Sequence, residues 1–399
     1  VQGGQRGIVP DVPDSLVQEE RSARLRIDRI RKSIGEGVEA AEVDSLRLAL
    51  AEAQAVHQRL RSLIFRSDRR YRDFSTPATF DSTALGELLG PRTLVLDYLT
   101  PRDCESSFDC ETILFVADTN GIEAADLGDT RDLLRQVDLL LDLLAHAPPS
   151  GGDSVPLLLR ELGATLLGPV AHRLSGYDDI VIVPDGKLQG VPFGALIVPG
   201  EDPAREDVYV VELAAIQIVP SLPVLHQLRA TRGAGTYQDS QWDIAIWPGP
   251  RGTAEGAAAG DRAVYELPHA GEELDTLIER FSRAVVLDLE LTREPALHVQ
   301  LAGLPPLGAS KILHFIAHGY FDDLQPWRSG LYLGSSGSGG EPLKLEIADV
   351  YHMDLRSSLV TLSACETARG GTLEGIGFLG LTQALFASGA PSVLATLWP

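Results

Sequence analysis

From about residue 86 onward, short apolar runs bounded by turn residues alternate with longer amphipathic stretches. Runs of four to eight apolar residues are typical of buried strands, and apolar residues spaced three and four apart are typical of helices. The runs 93–99 and 112–117 predict a β-hairpin. Strands alternating with helices then predict an α/β fold with a mostly parallel sheet. The other predicted strands are 179–184, 242–247, 284–290, 311–317, 330–334, 358–364 and 391–398, and the helices are 126–147, 155–174, 268–282, 293–303, 345–351 and 374–389.

The segment from residue 14 to about 72 has a different pattern, rich in Arg and Glu with helical periodicity. Gly35 and Gly37 interrupt it, which predicts an antiparallel helical hairpin. This arm is a candidate docking surface for a regulatory protein, and the alternative that it only packs on the following domain stays open. His57 falls on the apolar stripe, so we interpret it as a packed side chain. The stripe consists of Leu46, Leu50, Ala53, His57, Leu60 and Ile64.

A weakly patterned segment rich in Gly and Ala, 231–262, separates two stretches of α/β alternation. We therefore predict three parts: a helical arm over 1–80, one α/β unit over 86–230 and a second over 240–399. The Gly/Ser run 334–340 is too flexible for a core and predicts a mobile loop.

The net charge is −22 and the pI is near 4.8. Counterion release, which drives nucleic-acid binding, needs a basic surface, so nucleic acid is not an expected partner. The sequence has no 18-residue apolar run and no basic-then-apolar leader, so no membrane span is expected. Few lysines beside abundant Ala, Gly and Arg are typical of a GC-rich, bacterial genome. The lysines are Lys32, Lys187, Lys311 and Lys344.

The chain has three cysteines, too few for a disulfide framework. Cys104 and Cys110 lack metal-ligand spacing, and they are interpreted as ordinary thiols or a fortuitous pair. A reducing cytoplasm fits this cysteine usage best. The chain begins without a methionine and stops at Pro399 directly after a strand-like run, which suggests a cropped or processed piece.

Two apolar runs, 311–317 and 359–364, each end in a reactive side chain. His318 follows the first and Cys365 follows the second, 47 positions later. Because parallel strands end at the same sheet edge, an imidazole and a thiol are expected to meet there. A cysteine nucleophile needs a base and a donor for the developing oxyanion, and Gly319 adds an unhindered N–H beside the imidazole.

Other chemistries find less support. His314 stands four before His318, but a zinc-protease helix would need Glu directly after the first histidine, where Phe315 stands. Metal is therefore disfavoured, and His314 is interpreted as a satisfied sheet histidine or a support for the site. The glycines of 375–380 match a dinucleotide fingerprint but stand too far from a strand. No cofactor is predicted.

Three segments, 314–319, 362–367 and 387–399, resemble the CHAT family, caspase-like cysteine peptidases related to separase. The runs 183–196 and 219–222 agree, so the resemblance covers roughly 90–399. It implies a caspase-like three-layer sandwich in which 86–230 is an inactive copy that supports an active unit, 240–399. It also implies Cys365 as nucleophile, His318 as general base and acid, and Gly319 N–H with Cys365 N–H as the oxyanion hole.

The leading hypothesis is therefore a cysteine endopeptidase that cuts a partner protein after a signal, as bacterial antiviral defence or regulated death would require. The rival is a non-catalytic caspase-like scaffold, and a cofactor-binding α/β protein is a distant third. In the family, a loop after the Leu-Trp strand helps to build the substrate pocket, and this chain ends at Pro399. Substrate preference therefore cannot be predicted.

Overall fold

The computed structural model divides into two compact units, Val1–Pro77 and Ala78–Pro399, which are described separately. Within them the structure describes these residues: 15–16, 19, 22–23, 26–27, 29–30, 33, 40–67, 86, 88–101, 110–146, 154–199, 207–234, 240–249, 267, 269–287, 310–320, 329–335, 342–351, 353, 355–364, 370–373 and 377–396.

The first unit is helical wherever it is described. Described residues between Ser15 and Ser33 are helical, and a long helix, α1, spans Ala40–Ser67. His57 is 3% exposed, as its place on the apolar stripe predicts. A cavity of about 530 Å³ lies between the two helical segments. Docking of a regulatory protein on this unit stays a prediction. The cavity is lined by Ser15, Glu19, Ser22, Ala23, Arg26, Ala53, Val56 and Leu60.

The second unit contains a five-stranded sheet in the order β3-β2-β1-β4-β7. The pairing of β1 with β2 is antiparallel, which confirms the predicted hairpin, and that of β1 with β4 is parallel. The elements in this region are β1 Thr93–Leu99, β2 Glu111–Asp118, β3 Gly121–Asp129, α2 Thr130–His146, α3 Ser154–Leu167, β4 Asp179–Val183, β5 Ile197–Pro199, β6 Asp207–Tyr209, β7 Ala215–Ile218 and α4 Leu222–Ala234, with 3-10 helices at Gly168–Gly176, Gly186–Gly190, Phe193–Ala195 and Val210–Glu212.

The side chains of β1 alternate between two apolar cores because successive strand residues point to opposite faces. Leu96 and Tyr98 pack with residues of α2 and α3, whereas Val95 packs with a smaller cluster that includes Leu225 of α4. The Tyr98 hydroxyl, buried in the first core, donates to the Leu166 carbonyl at 3.0 Å. Both faces of the sheet are therefore covered at β1, its central strand.

Two predicted helices in this region differ from the structure. The helix expected over 126–147 begins only at Thr130, because β3 occupies the preceding residues. Most of β3 is exposed, so the apolar alternation that announces a half-buried strand is absent. The helix expected over 155–174 ends as an α-helix at Leu167, and Pro169, which cannot donate an α-helical hydrogen bond, lies in the 3-10 helix that follows.

A second five-stranded sheet has the order β17-β14-β10-β8-β9, and all its described pairings are parallel. Smaller sheets accompany it, β11-β12-β13 and β15-β16. The elements are β8 Trp242–Trp247, α5 Ala270–Arg280, β9 Ala284–Val286, β10 Ser310–Ile316, β11 His318–Tyr320, β12 Gly330–Ser335, β13 Pro342–Glu346, α6 Ile347–Tyr351, β14 Leu359–Ser363, β15 Gly370–Leu373, β16 Gly377–Gly380, α7 Leu381–Ala387 and β17 Val393–Ala395.

The helix predicted over 374–389 is the largest difference here. Its first described residues form β16, and α7 begins only at Leu381. Glycine is a poor helix former, and three of the first seven residues of the predicted helix are Gly375, Gly377 and Gly380. The predicted helix 345–351 likewise begins two residues late, after the unpredicted β13. The predicted helix 293–303 lies outside the described residues.

The structure also differs from the predicted loop 334–340 and from the predicted strand 391–398. Gly334 and Ser335 belong to β12, and the rest of the loop lies outside the described residues. The last strand, β17, is limited to Val393–Ala395.

Candidate active site

The neighbouring parallel strands β10 and β14, which precede His318 and Cys365 in the sequence, end at the same edge of their sheet. Their register pairs Ile312 with Leu359 and Ile316 with Ser363. Just beyond the ladder, the Ala317 N–H donates to the Ser363 carbonyl at 3.1 Å. His318 is the next residue on one side, and Cys365 comes two residues after Ser363 on the other. Cys365 itself lies outside the described residues.

His318 and Gly319 lie on β11, the first strand of a small antiparallel sheet. His318 pairs with Tyr332 and Gly319 with Leu331. Both His318 and Gly319 are half-buried. Pairing with β12 fixes the backbone on which the predicted base and the predicted oxyanion donor stand.

An aromatic group extends across this small sheet. Directly opposite residues of an antiparallel pair share a face, so Tyr332 is on the same face as His318. The Tyr320 and Tyr332 ring centroids are 4.6 Å apart. The Lys344 ammonium lies 4.8 Å from the first centroid and 5.3 Å from the second. A cation over aromatic faces is an attractive contact, which ties β13 to the strand of the predicted base.

His314 is 9% exposed on β10, and both of its ring nitrogens have partners. Its Nε2 lies 3.0 Å from Oε1 of Glu273, and its Nδ1 hydrogen-bonds the Thr361 hydroxyl. The other carboxylate oxygen of Glu273 accepts from Ser363 Oγ at 2.9 Å. A polar chain therefore runs Thr361–His314–Glu273–Ser363 and joins α5 to the two strands that lead to the predicted dyad.

Burial lowers the pKa of His314 below its usual range, while the neighbouring Glu273 carboxylate opposes this change. A neutral ring suits the contacts, since Nε2–H can donate to Glu273 while Nδ1 accepts from Thr361. The sequence left two interpretations of His314 open, satisfied or supporting, and this geometry satisfies the ring. Its role in supporting the site stays a prediction.

Sequence reasoning missed Glu273, although a signal was present. Glu273 stands four before Leu277 on α5, and Leu277 packs against the sheet. Residues four apart share a helical face, so an acid at this position borders the apolar stripe of its helix. Such an acid needs a polar partner on the sheet, and His314 is an available one.

Two further contacts frame the same edge. Trp247, at the end of β8, donates from Nε1 to the Leu333 carbonyl at 3.0 Å. The Thr396 hydroxyl donates to the carbonyl of Ala364, the residue directly before Cys365. The backbone directly before Cys365 is therefore held by the side chain of Thr396, the last residue that the structure describes.

The carboxyl ends of β1 and β4, in the first sheet, carry different chemistry. Asp97 lies near one end, and Asp185 accepts from the Thr100 N–H at 2.9 Å and from its hydroxyl at 2.7 Å. Burial, and secondarily the Asp185 charge, raises the pKa of Asp97 to about 6. The residues described at this edge are acidic and hydroxylic.

Cys110 is disulfide-bonded, so it is not the ordinary thiol that the sequence allowed. Disulfides are rare in a reducing cytosol, and the prediction of a cytoplasmic location stays a prediction. Cys104 lies outside the described residues. Among the residues that the structure describes, no group of three or more His, Cys, Asp or Glu side chains could hold a metal ion. No helix in this part of the chain is long and apolar enough to cross a membrane.

The mixed α/β architecture, with parallel strands among its sheets, is consistent with a caspase-like fold. Residues 157–399 match the CHAT domain. The chain therefore belongs to the CHAT domain family, which is related to caspase-like cysteine peptidases, and the resemblance seen in its motifs is confirmed. The match begins later than residue 90, where the resemblance begins. Among curated proteins, no sequence matches the chain significantly.

Proposed function

We propose that the protein is a cysteine endopeptidase that cleaves a partner protein through a dyad of Cys365 and His318. The observation that carries the proposal is the 3.1 Å hydrogen bond from Ala317 N–H to the Ser363 carbonyl. It joins the residue directly before His318 to the residue two positions before Cys365, at the edge where a caspase-like fold is expected to carry its chemistry. Membership of the CHAT family supports the same reaction class.

The proposed chemistry begins with proton transfer from the Cys365 thiol to His318. A free thiol has a pKa of about 8.5, so a nearby base is needed to raise the thiolate fraction at neutral pH. The thiolate attacks the scissile carbonyl, and the N–H groups of Gly319 and Cys365 stabilise the oxyanion. His318 then protonates the leaving amine, and water hydrolyses the acyl-enzyme.

In this proposal the unit over 86–230 is a non-catalytic copy that supports the active unit over 240–399. The acidic and hydroxylic residues described at its sheet edge, Asp97, Thr100 and Asp185, support this assignment because none of them is a strong nucleophile at neutral pH. The helical arm precedes both units. A bacterial defence or regulated-death pathway remains part of the proposal as the setting in which a signal-dependent peptidase would act.

The direct test incubates the full chain with proteins encoded beside its gene and compares wild type with Cys365→Ala. Specific fragments should appear with the wild type and disappear with the variant. Fragments that persist in Cys365→Ala would overturn the mechanism. Absence of any cleavage by the wild type, together with an unreactive Cys365, would favour a non-catalytic scaffold.

A second test needs no substrate. Iodoacetamide labelling, mapped to each cysteine by mass spectrometry, should be faster at Cys365 than at a free thiol at pH 7 and should fall at least about tenfold in His318→Ala. The matched control is His172→Ala, which removes an exposed histidine from the first α/β region. Equal labelling rates in wild type and His318→Ala would contradict the assignment of the base.

A further inference from the structure

The structure assigns Glu273 on α5 as a positioning residue that clamps the strands leading to Cys365 and His318. This inference rests on the proposed dyad and adds a residue that the family resemblance did not indicate. Glu273 reaches β10 through His314 at 3.0 Å and β14 through Ser363 at 2.9 Å. One carboxylate therefore holds both strands from the same side of the sheet.

The helix that carries Glu273 is itself anchored. Leu274 and Leu277 of α5 pack in a cluster with Ile312 and Ile316 of β10. The side chain of Glu273 is 33% exposed, so it sits at the margin of this cluster rather than inside it. Apolar packing sets the height of the helix over the sheet, and the carboxylate then selects its register relative to the strand ends.

The described side chains around Glu273 match one another as hydrogen-bond donors and acceptors. Each carboxylate oxygen accepts one bond, from His314 and from Ser363, and the remaining imidazole nitrogen is taken by Thr361. Thr361 is paired with His314 in the parallel ladder. The chain of contacts therefore closes across β10 and β14 and connects both to α5.

The clamp lies close in sequence to the reacting groups. Ser363 precedes Cys365 by two residues and His314 precedes His318 by four. A displacement of about 1 Å between reacting groups can reduce a rate by about 100-fold. A side chain that restrains both strands near their ends is thus placed to control the distance between thiol and imidazole.

A purely stabilising role would predict a lower melting temperature with normal chemistry in the folded fraction. A positioning role predicts altered chemistry in the folded protein. The reactivity of Cys365 and its dependence on pH separate the two, because they report on the thiol and imidazole directly and need no substrate.

The experiment measures Cys365 alkylation by iodoacetamide against pH in the full chain for wild type, Glu273→Ala, Glu273→Gln and Glu272→Ala. Glu272 is the matched control because its side chain lies on the same helix, is 85% exposed and contacts His269 instead. Glu273→Ala should slow alkylation at pH 7 by at least about tenfold and move the midpoint of the profile toward the free-thiol value of about 8.5. Glu272→Ala should match wild type.

Glu273→Gln is the rescue variant. Its amide oxygen can accept from His314, and its NH₂ can donate to the Ser363 hydroxyl, so alkylation should stay within about threefold of wild type. With a cleavable substrate, Glu273→Ala should lower kcat more than it raises KM, since substrate contacts are not removed.

Wild-type alkylation profiles in folded Glu273→Ala would overturn the inference. If that variant does not fold, Ser363→Ala replaces it, because it removes one arm of the clamp, and an unchanged profile there would also overturn the inference. Should the wild type cleave no protein while Glu273→Ala still slows alkylation, the positioning role stands and the proposed peptidase function falls. If wild type and Glu273→Ala cleave the substrate equally well, the peptidase function stands and the positioning role falls.

Discussion

The indole of Trp247 donates a 3.0 Å hydrogen bond to the backbone carbonyl of Leu333. This bond connects β8, in the second five-stranded sheet, to β12, the strand that pairs with His318. Trp247 is 4% exposed, so its N–H has little access to water. The Trp247 side chain thereby ties the small sheet β11-β12-β13, which carries the predicted base, to the five-stranded sheet that contains β8.

Trp247→Phe should therefore loosen the small sheet. Phenylalanine retains much of the apolar surface but leaves the buried Leu333 carbonyl without this donor, at a cost of about 1 to 3 kcal/mol in the free energy of unfolding. Denaturant titration measures the change. Trp242→Phe, at the opposite end of β8 where the tryptophan is partly exposed, should cost less, and an equal loss in both variants would contradict the role of the bond.

Gly330 lies close to the next strand of the same small sheet. A Cβ at this position would stand 1.9 Å from the Leu345 carbonyl oxygen, a distance that requires β12 and β13 to move apart. We expect Gly330→Ala to destabilise the protein by about 1 to 3 kcal/mol, typical of overpacking, and to slow Cys365 alkylation. Gly168→Ala is the control, since nothing lies within 4 Å of the added carbon. A Gly330→Ala protein with wild-type stability would show that the strands separate freely.

Tyr98→Phe should destabilise the first α/β region without altering the site. The Tyr98 hydroxyl is buried, and its removal leaves the Leu166 carbonyl without its 3.0 Å donor. The expected loss is about 1 to 2 kcal/mol in the free energy of unfolding, measured by denaturant titration. Cys365 alkylation in the folded protein should match wild type, and a large change there would link the two sheets more tightly than proposed.

Asp97 predicts a specific pH dependence. Burial, and secondarily the Asp185 charge, raises the pKa of Asp97 from 3.8 to about 6. Between these two pH values the native state keeps the Asp97 proton, whereas the unfolded chain has released it. Stability should therefore fall as pH rises from about 4 to about 6, and the full penalty remains above that range. At pH 7.5, Asp97→Asn should be more stable by about 1 to 2 kcal/mol after allowance for solvent screening.

The comparison at pH 3.5 is the internal control for Asp97→Asn. Just below the unfolded pKa of 3.8, the aspartate is mostly protonated in both states and most of its penalty is lost, so the free energies of unfolding of wild type and variant should differ much less than at pH 7.5. A difference that is independent of pH would show that packing or hydrogen bonding, and not ionisation, separates the two proteins.

Several elements of the fold follow directly from local sequence. The runs 311–317 and 358–364 match β10 and β14 within a residue at each end, because apolar runs between turn signals suit the strands of a parallel sheet. β3 was missed for the opposite reason: it is mostly exposed and carries no apolar alternation. The glycine-rich start of the predicted helix 374–389 became β16, since pairing with β15 supplies backbone partners that a glycine-rich helix would not retain.

The candidate site divides in a similar way. Strand ends and motifs predict His318, Gly319 and Cys365 as site residues, and the parallel register of β10 with β14 agrees with a shared edge. Glu273 was not identified, because it comes 41 positions before His314 and 90 before Ser363. Only α5 folding onto the sheet brings these side chains together.

The sequence by itself determined the chemical types, the order of the two reactive segments and the family, because these depend on residue identity and local apolar pattern. Tertiary structure alone decided which polar groups satisfy one another: Glu273 with His314 and Ser363, Trp247 with Leu333, and Asp97 near Asp185. The physical reason is that burial removes water as a partner, so each buried polar group takes the nearest complementary group in space, whatever its distance along the chain.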